Sequence, residues 1–404
     1  MKTNRLVLLL GLAGFMVMAD NWVVSPILPA IAGDLSVSAA RAGILISAYM
    51  LPFGLFQLVY GPLADRFGKA KVIIGTLAAF SVATALAGLA GSISGLAIFR
   101  AITGVFAAAT MPISLALIAD EVEVTGRQKA IGSFMGIAFL GQALSMGIGG
   151  AIAYYLNWRG VFVAYGVVSA FITVVLWTRL RHAAAAPAPR TVGSPLKPYF
   201  SLLGERNSRR AYTVILLEGV FLLGSFSYLG ARLQQSFDLT FLAIGAVMTA
   251  FGVGAVIGGR TSSRIAARLG AVRTLAAGLA LAAIADGIVL LASGSLALTT
   301  VGVFALGLGF MTAHSTLLTI ATEFAAKARG TAMSLVTFAF MVGGAAGTQI
   351  GGRLVEATSY STLYAVYGAA LALLALAALP MLGGAAAVLD RVGQRAGESA
   401  PEVA

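Results

Sequence analysis

The sequence predicts an all-α membrane protein: twelve transmembrane helices in two pseudo-symmetric six-helix bundles, both termini cytoplasmic. Three observations lead there: the apolar composition, the number of long apolar runs, and a repeat that relates the two halves.

Of 404 residues, 59% are hydrophobic and 10% are charged. A soluble domain carries about 45–50% apolar and about 25% charged residues, so this chain needs lipid as its solvent. The net charge of +12 does not point to nucleic acid, because the basic residues sit in short segments between apolar runs. There is no cysteine, which excludes disulfides, thiolate metal sites and a Cys nucleophile. Two histidines, His182 and His314, are too few for a histidine metal cluster.

A spanning helix needs about 20 mostly apolar residues. The candidates are 6–32, 41–62, 72–91, 95–118, 130–154 and 160–178, then 211–231, 240–259, 273–292, 296–320, 330–350 and 362–383. The first run imitates a signal peptide, but it continues past Asp20 to Ile31, longer than a signal core, and is read as the first span. With the N-terminus placed inside, only Arg41, Arg159, Arg232 and Arg353 fall outside, and Arg100 lies within a span. The other 22 of the 27 Lys and Arg residues are cytoplasmic, as the positive-inside rule requires.

The halves align at a constant offset of 202 residues. Leu63–Gly68 faces Ile265–Gly270, Glu121 faces Glu323, Arg127 faces Arg329, and Tyr165-Gly166 faces Tyr367-Gly368. A parallel six-plus-six repeat sets the halves around an axis along the membrane normal, with a cleft between them. The expected organisation is a bundle at 1–178, a basic, Ala/Pro-rich cytoplasmic linker at 179–210, a second bundle at 211–385 and a cytoplasmic tail at 386–404.

Gly61-Pro62-Leu63-Ala64-Asp65-Arg66-Phe67-Gly68-Lys69 resembles the signature loop between helices 2 and 3 of the major facilitator superfamily. Its degraded copy lies where the repeat requires it. Gly61 and Gly68 are read as permitting tight turns, and Asp65 as pairing with a basic group or capping a helix N-terminus. Arg66 and Lys69 hold the loop inside. The resemblance implies a conformational latch at Gly61, Asp65, Arg66, Gly68 and Lys69. Arg100, Gly104, Ala107 and Ala108 match the family's Arg-containing motif in helix 4, with Thr103 replacing the usual Gln. Gly132, Gly141, Gly149 and Gly150 match the antiporter motif in helix 5, but Ser145-Met146 stands where Gly-Pro is expected. Asn157-Trp158-Arg159 resembles the outer loop of bacterial efflux members. These matches resemble the drug:proton antiporter branch.

Ionisable side chains within spans are functional candidates. Asp20, Arg100, Glu218 and Asp286 stand out. Asp20 and Arg100 both belong to the outer half of the membrane, and the resemblance places their helices on the cavity. Asp20 is read as exchanging a proton with Arg100 tuning it, since a cation favours the charged carboxylate and dehydration the neutral acid; a static buried ion pair is the alternative. Glu218 is read as a second proton site or a contact for a cationic substrate, or else as an acid near the cytoplasmic interface. A structural partner is the favoured reading of Asp286. His314 titrates in a useful range, although a satisfied core histidine is the commoner explanation for such a residue. Asn21, Trp22, Tyr49, Phe53, Gln57 and Gln142 complete the expected substrate contacts, with Asp20, Glu218 and His314. Pro26, Pro29 and Pro112 are expected to bend helices at depth. Asp120, Glu121 and Glu123 are expected near Arg127.

The resemblance implies a secondary active transporter of the bacterial inner membrane working by alternating access, with proton-coupled efflux of small lipophilic or cationic compounds. The alternative is a dedicated carrier of one metabolite (a sugar, amino acid, siderophore or lipid) by proton symport or antiport. Its expected partners are a small-molecule substrate, protons and the lipid bilayer, with no nucleic acid, and the chain is expected to be a monomer. No cofactor or metal is expected; the proton gradient supplies the energy. No constellation supports an intramembrane enzyme, and the repeat with its latch argues against a permanent pore.

Overall fold

A computed structural model describes residues 3–180, 197–292, 294–325 and 328–398. Twelve segments are long and apolar enough to cross a membrane, one for each predicted span. They are α1 (Thr3–Trp22 and Val24–Asp34), α2 (Ala39–Ala42 and Ile44–Phe67), α3 (Lys69–Ala87), α4 (Ile93–Ala107 and Thr110–Glu121), α5 (Val124–Tyr155) and α6 (Trp158–Leu180). Then follow α7 (Arg206–Phe237, in four pieces), α8 (Phe241–Leu269), α9 (Ala271–Leu291), α10 (Leu296–Phe324), α11 (Arg329–Ala357) and α12 (Tyr360–Glu398). Most run past the predicted ends because their last turns are polar. Within the expected linker, Lys197–Gly204 forms a short helix; residues 181–196, with His182, lie outside the described residues. α12 continues as helix through most of the expected tail.

Two of the interruptions, in α1 and α4, follow from proline chemistry. Pro26 has no N–H for the Trp22 carbonyl, and α1 breaks at Val23. Pro112 likewise strands the Ala108 carbonyl, and α4 breaks at Ala108–Ala109. Each proline removes one helical hydrogen bond, which is tolerable in a membrane where protein covers the freed group.

The pairing of helices repeats. In the first half α1 packs on α5, α2 on α4, and α3 on α6 and α4. In the second half α7 packs on α11, α8 on α10, and α9 on α12 and α10. Gly68 and Gly270, related by the repeat, adopt φ of 90° and 83°, a conformation glycine enters without steric cost. Large apolar side chains such as Leu89 and Leu291 point outward, where lipid would cover them.

Between the halves, α5 packs on α8, α2 on α11, and the end of α1 on the end of α7. Gly150 meets Gly245 so closely that a Cβ on either would strike the other's backbone. The polar bonds across the halves cluster at one end. The Ser25 hydroxyl donates to the carbonyls of Phe226 (2.8 Å) and Ser227 (3.2 Å). Ser38 donates to Glu356, Ser47 to the Ala345 carbonyl, and Tyr228 to the Ala40 carbonyl. All lie on the face opposite the N-terminus and the linker, called here the far face; the other is the basic face. Among the described residues, the bond that crosses near the basic face comes from the linker helix, where Tyr199 donates to the Leu58 carbonyl (3.3 Å). The molecule is therefore fastened at the far face.

Candidate functional site

Asp20 of α1 and Arg100 of α4 meet inside the first bundle. Arg100 Nη1 donates to Asp20 Oδ2 at 2.6 Å, and Nη2 to the Asp20 carbonyl at 3.2 Å. Both side chains are essentially inaccessible. The guanidinium lies over the Tyr49 ring, 4.3 Å from its centroid, with Phe162 at 5.7 Å. Asp20 Oδ1 and Arg100 Nε have no hydrogen-bond partner among the described residues. The pair is thus sealed by aromatic walls, with one carboxylate oxygen left free.

Tyr49 and Phe53, expected as substrate contacts, are placed differently. They stack on one another at 5.6 Å within the bundle, and Tyr49 serves Arg100 as its cation–π partner. Asp20 is equally enclosed, so its carboxylate faces no open space in this conformation. Asn21, Gln57 and Gln142 are buried, each with one amide atom unpartnered.

The second bundle holds a second pair. Glu218 of α7 is fully buried, and its Oε2 lies 3.1 Å from Nδ1 of His314 on α10. The His314 side chain is 19% exposed. Its ring packs against Phe340 at 4.4 Å and Phe310 at 5.4 Å. Glu218 Oε1 is unpartnered. An acid with one free oxygen, a partly exposed imidazole and two phenyl faces can attract a cation with an apolar body.

Trp22 joins the two regions. It stands two residues beyond Asp20 but packs into the other half, 5.0 Å from Phe226, 5.4 Å from Phe251 and 5.8 Å from Phe310. Phe310 stacks on Phe340, which reaches His314. An unbroken run of rings therefore leads from Trp22 to the Glu218–His314 pair. Sequence reasoning missed Phe226, Phe251, Phe310 and Phe340, since they come from four different helices and nothing in the sequence says which of each helix's aromatics face one another.

The residues of the expected latch do not all meet. Gly68 makes the turn, but Gly61 lies inside α2, with open space around it. That expectation is corrected: the helix runs through Pro62 to Phe67, so no turn exists there. Lys69 pairs with Asp120 at 2.6 Å, so Asp120 serves the loop instead of Arg127. Arg127 donates to the Val122 carbonyl. Arg66 lies over the Phe67 ring. Asp65 is exposed.

The model of the Major Facilitator Superfamily matches residues 10–244 and 229–401. The chain belongs to that superfamily. This transporter is 31% identical over 359 residues to an MFS-type transporter of Bacillus subtilis, YceJ, covering 86% of this chain and 88% of the relative. It is 26% identical to a probable sulfoacetate transporter of Cupriavidus necator, SauU, over 98% of this chain and 97% of the other. It is also 29% identical to the puromycin resistance protein of Streptomyces alboniger, over 67% and 65%. Among solved structures, a point mutant of the nucleoside transporter NupG superposes with a TM-score of 0.78 at 13% identity, covering 93% of this chain and 99% of that one. The twelve-helix fold of the superfamily is thus shared despite remote sequence. The relatives' names span resistance and metabolite transport.

Proposed function

We propose that this MFS transporter is a proton-coupled exporter of small lipophilic cations. The observation that carries the reading is an acid paired with a basic side chain in each half, joined across the interface by one run of aromatic rings. Asp20–Arg100 is enclosed and has a free carboxylate oxygen, as a proton-exchange site needs. Glu218, His314, Phe310 and Phe340 offer a cargo site of matching polarity. Trp22 ties the two, because motion of α1 that opens Asp20 to water must also move Trp22 among the rings of α7, α8 and α10. Uptake of a proton at Asp20 and departure of cargo then belong to one conformational step.

The likeness to a puromycin resistance protein supports export. The likeness to a sulfoacetate transporter favours a second reading, a dedicated metabolite carrier. An anionic metabolite wants an unpaired cation in the membrane, and the buried Arg100 is already neutralised by Asp20.

The test uses purified protein in liposomes under an imposed pH gradient, with a panel of cationic dyes and antibiotics. Dye-triggered proton flux that disappears in Asp20→Asn supports the proposal. Flux triggered by small sulfonates or carboxylates and by none of the cations overturns it.

A further inference from the structure

Asp286 of α9 is used by neither pair. It is fully buried, and neither carboxyl oxygen has a hydrogen-bond partner among the described residues. Its backbone side packs on Gly368 of α12. Among the described residues no cation balances it: the polar group it faces is the Ser225 hydroxyl of α7. The titratable group turned toward it from α12 is Tyr364, which also feels Arg232 of α7. From α8 and α10, the other helices packed on α9, no charged or titratable group acts on it. A charged carboxylate so isolated in a membrane interior is costly.

The hydroxyls of Ser225 and Tyr364 are both committed to the backbone of α7. Ser225 Oγ donates to the Leu222 carbonyl at 3.1 Å. Tyr364 donates to the Ser225 carbonyl at 3.2 Å. Leu222 lies in the π-helical turn Gly219–Leu223, a feature frequent at functional sites. Phe226, the residue after Ser225, accepts the Ser25 bond from α1 and packs on Trp22. Two donors thus hold the segment of α7 that fastens the far face, and both stand beside an unbonded acid.

We propose that Asp286 is a proton-binding site that controls the α7 side of the far-face closure. In this conformation the acid is neutral and leaves both hydroxyls to the carbonyls of Leu222 and Ser225. On ionisation the proton passes to water admitted from the far face. The carboxylate then draws both hydroxyls into stronger, charge-assisted bonds. The π-helical turn loses its supports, and Phe226 and Trp22 separate. A hard metal cation fits poorly, since it wants about six oxygens and the surroundings supply two hydroxyls and one carboxyl. The inference rests on alternating access by this superfamily member and is independent of the cargo.

The test uses the full chain in lipid nanodiscs, with Trp158→Phe and Trp177→Phe leaving Trp22 as the sole tryptophan of the three. Trp22 emission and its quenching by acrylamide are followed against pH, with and without sodium. The expected result is increased quenching as pH rises, abolished in Asp286→Asn. Tyr364→Phe, which removes a donor from the carboxylate, raises the midpoint by about one pH unit, a tenfold change in the equilibrium. A transition unaltered in both Asp286→Asn and Tyr364→Phe overturns the proposal, as does one set by sodium instead of pH. Should Asp286→Asn fail to fold, the Tyr364→Phe midpoint decides. Loss of dye-driven flux in Asp20→Asn tests the exporter reading separately.

Discussion

The Tyr199 hydroxyl donates to the Leu58 carbonyl, the group that Pro62, four residues on, leaves without a helical partner. Proline thus creates an acceptor in α2 that the linker helix fills. The linker helix also packs on α11, whose Ser334 side chain interacts with the same tyrosine hydroxyl. The linker is in this way wedged between the two halves at the basic face, where α2 leads into the Gly68 loop.

Tyr199→Phe therefore releases α2 from the linker. One neutral hydrogen bond is worth roughly 1 kcal/mol, so the equilibrium between conformations shifts several-fold. The chain has no native cysteine, so spin labels can be placed at Asp65 and Arg264. Their distance distribution should redistribute in Tyr199→Phe. Superimposable distributions would make the bond incidental.

Much of the architecture was legible in the sequence. Twelve apolar runs, a 202-residue repeat and Gly68 in its loop correspond to helices, paired packing and a positive φ in the structure. The Asp20–Arg100 contact was legible too, because membrane depth and the cost of burying charge leave few alternatives. Glu218 and His314 were each legible as candidates, but their pairing was not. They are 96 positions apart, and their contact depends on the rotation of α7 and α10 about their axes, which a helix apolar on all sides does not encode. The same reason hides the aromatic run. Gly61 failed differently: a turn glycine and a helical glycine read alike when a proline follows.

Trp22 is the aromatic side chain of α1 that packs into the second half. Each aromatic pair contributes about 0.5–1.5 kcal/mol beyond its buried area, and Trp22 makes three. Trp22→Ala should weaken the far-face closure by a factor of ten or more, and Trp22→Phe should retain part of it. Alkylation of a cysteine placed at Ser47, buried in the closed face, reports this directly. An alkylation rate that does not rise in Trp22→Ala would show that the α2–α11 and α5–α8 contacts close the face by themselves.

Glu218 offers charge to a cargo while His314 and Phe340 offer surface. Glu218→Gln keeps the shape and removes the charge. Loss of a charge-assisted contact worth roughly 1.5–3 kcal/mol weakens binding of a cationic dye about ten- to a hundred-fold. A neutral compound of similar shape should bind almost as before. Equal losses for both would mean that the glutamate orders the site without contacting cargo.

At the far face, Asp34 ties α1 to α6. Arg159 donates to it at 2.5 Å and the Trp158 indole at 3.1 Å, with Arg159 lying over the Trp158 ring. The Arg159 hydrogen bond, then that of Trp158, holds the Asp34 carboxyl below the usual carboxylate range. A carboxyl depressed in the folded state binds fewer protons there than when unfolded, so ionisation favours folding. The contribution is fully present above the ordinary value of about 3.9 and is lost as pH falls through the depressed one. It is small, because the Asp34 and Arg159 side chains are both partly open to solvent. Thermal unfolding of the parent and Asp34→Asn should differ by a constant, modest margin from neutral pH down to about pH 5. That margin should close only in stronger acid. A margin that closes between pH 6 and pH 7 (roughly the histidine range) would assign the staple to another group.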